Sequence, residues 1–387
     1  MKSLFVLLGC AAALPLAFAE PSGDRPDAYH AWAVHDVNRP DPVRVEVGAG
    51  GIPSDALVLF DGTAESVAKN WRAGDGGPTK WTVDKGLFVC SPGSGGAFTR
   101  ENFADCQLHL EFMTPKDDLY GWGNSGVIFM SEYEIQILDS SAVTPSRSPF
   151  KPANYADGQC GAVYGQNPPL VQPCRKPGEW QTYDIVFHPP RREGGRLVDP
   201  GSATVFLNGV LVQDAFPFQG KTTWCRRLPH SDRTEGPLRL QDHGHPVPYR
   251  NIWIRRIPSR FADTLGGGLG VKRGEVAAKR HALAAESRAF AGETTDKAER
   301  FIRLWESFCY EPNREVKKEI ASATADLLAA IRANDPVVVE TGKFRALQRF
   351  VKMLVLGKWL EEGTELEKTI DAYKTPAKPQ AANMRDI

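Results

Sequence analysis

The hydrophobic pattern changes period once along the chain. From Leu57 to Ile257 apolar residues recur at every second position in short runs separated by Gly and Pro, as half-buried strands require. In QLHLEF, Leu108, Leu110 and Phe112 oppose His109 and Glu111; in TYDIVFH, Tyr183, Ile185 and Phe187 oppose Asp184, Val186 and His188. ATVFLNGVLV reads as two strands joined by Asn208-Gly209, a strong signal for a two-residue hairpin turn. Many short strands with almost no helical period predict a β-sandwich or jelly roll. Beyond the Gly run at Leu265 to Gly270 the spacing lengthens to three and four, at Val316, Ile320, Ala323, Leu327 and Ile331, then at Phe344, Leu347, Val351 and Leu354. Pro312 suits a first helical turn and Asn334-Asp335-Pro336 a stop, so an α-helical C-terminal extension is expected, packed on itself or on the sandwich.

One strand carries more polarity than a core needs. In EYEIQILD, Tyr133, Ile135 and Ile137 share one face, and Glu132, Glu134 and Gln136 share the other. A second polar face appears in GPLRLQDHGHPVPYRNIWIRRI, where Arg239, Gln241 and His243 alternate with Leu238, Leu240 and Asp242, and Arg250-Asn251 leads the last strand. A third lies at Trp122-Gly123-Asn124-Ser125-Gly126, where glycines let the backbone approach closely. Periodicity alone favours the plain explanations: a wetted sheet face for Glu132 and Glu134, a polar turn at Gln241 to His245, a structural strand-end histidine at His188 and a packing role for Trp122. If the polar faces belong to one sheet, they line a shared concave groove.

Length and composition set the outer limits. At 387 residues the chain is long for one domain. Lys plus Arg equals Asp plus Glu at 47 each, so the balance favours neither nucleic acid nor an anionic membrane as partner. The N-terminus reads as an export signal over residues 1–19: Lys2, the apolar stretch Leu4 to Ala13, and Ala17-Phe18-Ala19 as the cleavage site before Glu20. That run is short for a membrane span. Leu7-Leu8-Gly9-Cys10 is a competing lipoprotein box. An extended lead-in over 20–55 is expected on the surface of the sandwich at 56–258. A Gly-rich linker at 259–274, helices at 275–374 and a disordered tail at 375–387 complete the expected organisation. Removing Cys10 with the signal leaves six of seven cysteines. Cys160 and Cys174, which bracket a Gly/Pro loop, are the most plausible local pair, and a bridge there would add about 3 kcal/mol on the chain-entropy model. No CxxC or Cys/His zinc spacing occurs.

Six segments together resemble a known family. LVLFDG, GNSGVIF, YEIQILD, WQTYDIVFHPPR, LNGVLVQ and GPLRLQDHGHPVPYRNIWIR, in that order between Leu57 and Ile257, are similar to the 3-keto-disaccharide hydrolase domain. The resemblance implies a concanavalin A-like jelly-roll sandwich with one concave sheet, on an exported bacterial protein acting on glycosides already oxidised to a ketone at C3. It says nothing about the helical extension.

That chemistry needs a base for the proton on C2, a stabiliser for the enolate oxygen and an acid for the leaving group. Glu134 and His243 are the candidates for the proton transfers, in either order. Asn124, Gln136, Gln241 and Arg250 could hold hydroxyls or polarise the ketone; Asp139 could orient a ligand or cap the following turn. Trp122 and His188 complete the candidate substrate contacts. A divalent cation could stabilise the enolate with Glu134 and His243 as ligands, although no spacing demands one. The implied partners are a 3-keto-sugar substrate and a sugar-oxidising dehydrogenase. Two rival functions stay open: a laminarinase-type glycosidase and a non-catalytic carbohydrate-binding module. Glu132 and Glu134 are roughly 6.6 Å apart along a strand, which spacing alone does not exclude for retaining hydrolysis. The Glu-x-Asp-x-x-Glu arrangement of those glycosidases is absent.

Overall fold

A computed structural model describes residues 32–39, 41–116, 123–141, 155–258 and 273–373. It divides into two compact units, Arg44–Ser259 and a second made of Met1–Val43 with Arg260–Ile387. The export signal, most of the Gly-rich linker and the tail beyond Tyr373 lie outside the described residues.

The first unit is built from β1 (Leu57–Phe60), α1 (Ala64–Asn70), β2 (Trp71–Arg72), β3 (Thr82–Asp84), β4 (Leu87–Val89), β5 (Ala97–Phe103), β6 (Cys106–Met113), β7 (Ser125–Phe129), β8 (Tyr133–Ile137), β9 (Trp180–His188), β10 (Arg191–Glu193), β11 (Arg196–Asp199), β12 (Ser202–Leu207), β13 (Val210–Pro217), β14 (Gly236–Leu240) and β15 (Pro248–Arg256). Eight of these strands form one antiparallel sheet, in the order β13-β12-β9-β6-β15-β4-β3 with β1 also paired to β15; five form the other, in the order β2-β5-β14-β7-β8. The fold is therefore a jelly-roll-type sandwich, in which β6 and β9 bury alternate residues while β7 and β8 are buried on both faces.

Alternation explains the core directly. Leu108, Leu110 and Phe112 on β6 and Tyr183, Ile185 and Phe187 on β9 are all fully buried. The two sheets meet where Phe129 stacks on Phe187 at 4.5 Å between ring centroids, with Tyr133 and Phe218 beside them. Asn208 and Gly209 both take positive φ and close the β12–β13 hairpin, as the Asn-Gly pair suggests. The short α1, capped by the Thr63 side chain on the Ser66 amide, carries no readable period because seven residues make under two turns.

The second unit contains α2 (Arg273–Glu293), α3 (Lys297–Tyr310), α4 (Arg314–Arg332), α5 (Thr341–Leu356) and α6 (Glu365–Ala372). Val316, Ile320, Ala323, Leu327 and Ile331 on α4 join Phe344, Leu347, Val351 and Leu354 on α5 in one apolar core. Residues 32–39, part of the expected lead-in, group with the helices. Trp32 packs with Val276, Ala284 and Tyr310, and the Tyr310 hydroxyl donates to Asp36 at 2.9 Å. A large aromatic ring early in a polar segment gains more from an apolar helix face than from solvent. No described helix is long and apolar enough to cross a membrane.

Candidate active site

The three polar stretches meet on one sheet. β14, β7 and β8 are consecutive neighbours, with Arg239 opposite Ile128 and Ile128 opposite Glu134. Two residue pairs along, and so on the same face, Gly126 is opposite Gln136. Because side chains alternate, Tyr133, Ile135 and Ile137 enter the core while Glu134 and Gln136 turn to the opposite face with Ile128, Arg239 and Gln241. There they line a cavity of 670 Å³ together with Asn124, Glu132, Tyr155, Tyr164, Trp224 and His243.

Glu134 is the unusual group in this cavity. It is only 7% exposed, and burial pushes its carboxyl up to about 7, against the opposing pull of the Arg239 guanidinium. A side chain at position 126 would occupy its place, so glycine on the neighbouring strand makes the burial feasible. Beside it, Gln136 Oε1, Gln241 Oε1 and Arg239 Nε are buried polar atoms without a hydrogen-bond partner in the protein. Such atoms on a cavity wall await a ligand or water. Arg239 lies over the Phe98 ring, its Cζ 5.5 Å from the centroid.

The turn after β14 presents His243. Asp242 accepts the backbone amides of Gly95 and Gly244, both at 2.9 Å, and so fixes the loop. His243 is exposed and stacks against His245 at 6.1 Å. Burial and the neighbouring His243 hold His245 below the usual imidazole range.

The outer edge of β8 is covered by two irregular segments. The Gln136 amide donates to the Ala162 carbonyl and the Tyr164 amide to the Glu134 carbonyl. On the same edge the Glu134 amide donates to Thr222 Oγ1, and the Thr222 amide donates to the Glu132 carbonyl. These bonds remove an open sheet edge and bring Tyr155, Tyr164 and Trp224 to the cavity. Glu132 also lines the cavity, with one carboxylate oxygen paired to Arg233 at 3.0 Å and to Lys221 at 3.8 Å.

Of the residues singled out in the sequence, Asn124, Glu134, Gln136, Gln241 and His243 share this cavity, and Trp122 lies outside the described residues. Arg250 and His188 require correction, and Asp139 takes the turn-capping one of its two expected roles. Arg250 is on β15, in the opposite sheet, paired with Glu111 at 2.7 Å and stacked over Trp180 at 4.0 Å. The chain crosses between sheets in the turn after Leu240, so proximity in sequence to Gln241 does not bring Arg250 to the same face. His188 ends β9 in that same opposite sheet, where its Nδ1 meets Asp105 at 2.7 Å, a carboxylate shared with Arg191. Asp139 caps the turn after β8, accepting the Ser141 amide at 3.1 Å and hydroxyl at 2.7 Å.

Arg239 is legible in the alternation of β14, on the polar face with Gln241 and His243. Tyr155, Tyr164 and Trp224 sit in irregular segments without a period that could have marked them. Cys160 and Cys174 stand as free thiols, with Cys160 Sγ 3.3 Å from the Tyr183 hydroxyl and Cys174 Sγ 3.5 Å from the Arg175 carbonyl. Among the described residues, no three His, Cys, Asp or Glu side chains converge as a metal cluster.

The sandwich unit is similar to known proteins. The family model described as a 3-keto-alpha-glucoside-1,2-lyase-like domain matches residues 55–255. A candidate glycosyl hydrolase from Parabacteroides distasonis is 34% identical, with a TM-score of 0.50, covering 59% of this chain and 98% of its own. A second from the same organism is 22% identical at a TM-score of 0.40, covering 52% and 94%. The carbohydrate-binding module CBM66 from Bacillus subtilis is 10% identical at 0.28, covering 49% and 96%. No match was found among curated proteins.

Proposed function

From the premise that the chain belongs to the 3-keto-alpha-glucoside-1,2-lyase-like family of carbohydrate-active enzymes, we propose that it cleaves 3-keto-glycosides by elimination across C1 and C2, followed by hydration. The observation that carries this reading is Glu134, a nearly buried carboxylate held near neutrality inside a cavity of sugar-binding size.

The ketone acidifies the C2 proton. Glu134 takes that proton, and the C–H electron pair becomes the C2–C3 double bond of an enolate. Arg239, with the amides of Gln136 and Gln241, supplies donors for the developing oxyanion at C3. The enolate then re-forms the ketone, a double bond closes between C1 and C2, and the glycosidic oxygen leaves with a proton. His243, an exposed imidazole on the cavity lining, delivers that proton. Addition of water across C1–C2, with OH at C1 and H at C2, completes a net hydrolysis.

Purified full-length protein incubated with a 3-keto-α-glucoside and with its unoxidised parent tests the reaction. Release of aglycone from the keto compound alone is expected. Equal cleavage of both would replace the proposal with ordinary glycoside hydrolysis, and binding without turnover of either would leave a carbohydrate-binding module.

The proposal includes export, supported by the N-terminal charge, apolar run and Ala17-Phe18-Ala19. A mature chain beginning at Glu20 outside the cytoplasm is expected, and an unprocessed cytoplasmic chain would contradict it. A sugar-oxidising dehydrogenase must act first, because the C3 ketone is the source of the C2 acidity.

A further inference from the structure

The cavity has two unlike walls, and Glu134 stands between them. On the side of β7 and β14 lie Arg239, Gln241 and His243. On the other side, beyond the outer edge of β8, the segments bonded to Glu134 and Glu132 bring Tyr155, Tyr164 and Trp224. These are aromatic side chains, and Trp224 is 64% exposed while still lining the cavity. Tyr155 is held by its own turn, since a side chain at Gly158 would collide with the ring.

Sugar geometry converts this polarity into an assignment. C1 and C3 are the two ring neighbours of C2, so they lie on opposite sides of it. With C2 above Glu134 and C3 toward Arg239 and Gln241, C1 and the aglycone it carries lie on the side of the aromatic wall. We infer that Trp224, with Tyr155 and Tyr164, forms the leaving-group subsite, selecting glycosides whose aglycone is a flat ring: an aryl group or a second sugar offering its apolar face. This assignment rests on the proposed 1,2-elimination, which sets where C1 and C3 must point. Aromatic faces gain from offset stacking on such rings and gain little from a methyl group.

The test uses the full chain with three substrates: methyl 3-keto-α-glucoside, its p-nitrophenyl counterpart and a 3-keto-α-disaccharide. Wild-type turnover of the methyl compound tests the elimination by itself. For Trp224→Ala, the ratio of kcat/KM for either ring-bearing substrate to that for the methyl substrate is expected to fall 10- to 100-fold, chiefly through KM, and Trp224→Phe should restore most of it. An unchanged ratio in a wild type that turns over all three substrates would overturn the subsite assignment alone. If the wild type turns over none of them, both the elimination and the subsite are overturned.

Discussion

Gly126 on β7 is the space into which Glu134 on β8 folds: a Cβ at position 126 would stand 2.1 Å from Glu134 Oε1. The burial that raises the carboxyl is thus a property of two strands and depends on the absence of one methyl group. Gly126→Ala is expected to force the carboxylate outward and to lower kcat/KM on a 3-keto-glucoside by at least about 100-fold, on the scale of a misplaced catalytic group. Position 126 has no positive φ, so the backbone tolerates alanine and any loss reports the collision. Wild-type turnover in this variant would remove Gly126 from the account.

The raised Glu134 carboxyl links activity and stability with opposite signs. A base must be ionised, so kcat/KM should rise with pH through about 7. The folded protein, by contrast, holds its proton more tightly than the unfolded chain, so this group's contribution is fully present below about 4.5 and is lost as pH rises to about 7. The loss amounts to about 3 kcal/mol, order of magnitude. Glu134→Gln should reduce turnover by about 10²- to 10⁴-fold and be more stable than wild type at pH 8, but not at pH 4. Urea unfolding at the two pH values checks it, and a variant less stable than wild type at pH 8 would contradict the burial argument.

Arg239 acts on the same site in two ways. As a donor to the enolate oxygen, its loss in Arg239→Gln should cost about 10²- to 10³-fold in kcat. Because its charge draws the Glu134 carboxyl down, the same variant should shift the midpoint of the pH–rate profile upward. A lowered rate with an unmoved midpoint would confine Arg239 to substrate contact.

His243 is exposed, so His243→Ala should change stability by no more than about 0.5 kcal/mol. The expected effect is on leaving-group departure: the penalty should be large for an alkoxide and small for p-nitrophenolate, which needs little proton assistance. An equal penalty for both leaving groups would reassign His243 to positioning.

All residues lining the cavity belong to the Arg44–Ser259 unit. Leu327→Ala in the fully buried seam of α4 should therefore destabilise the helical unit by about 2–5 kcal/mol, seen as an earlier loss of helical circular dichroism. Turnover of a 3-keto-glucoside should stay within about twofold at a temperature where the helices persist. A parallel collapse of turnover would show that the helices support catalysis.

Local pattern was enough to assign the inward residues. The period of two in EYEIQILD places Tyr133, Ile135 and Ile137 in the core, and the period near 3.6 places Val316 to Ile331 along one helix face, because each follows from backbone geometry within a single element. Which sheet a strand joins is a non-local matter. β14 and β15 are adjacent in sequence and lie in opposite sheets, so Gln241 reaches the cavity and Arg250 does not. Tyr155, Tyr164 and Trp224 come from segments whose shape is set by hydrogen bonds to the edge of β8, a constraint invisible in their own order of residues. The proton affinity of Glu134 belongs to the same class. It is a carboxylate by sequence, but a base poised near pH 7 only because a neighbouring strand leaves room for its burial.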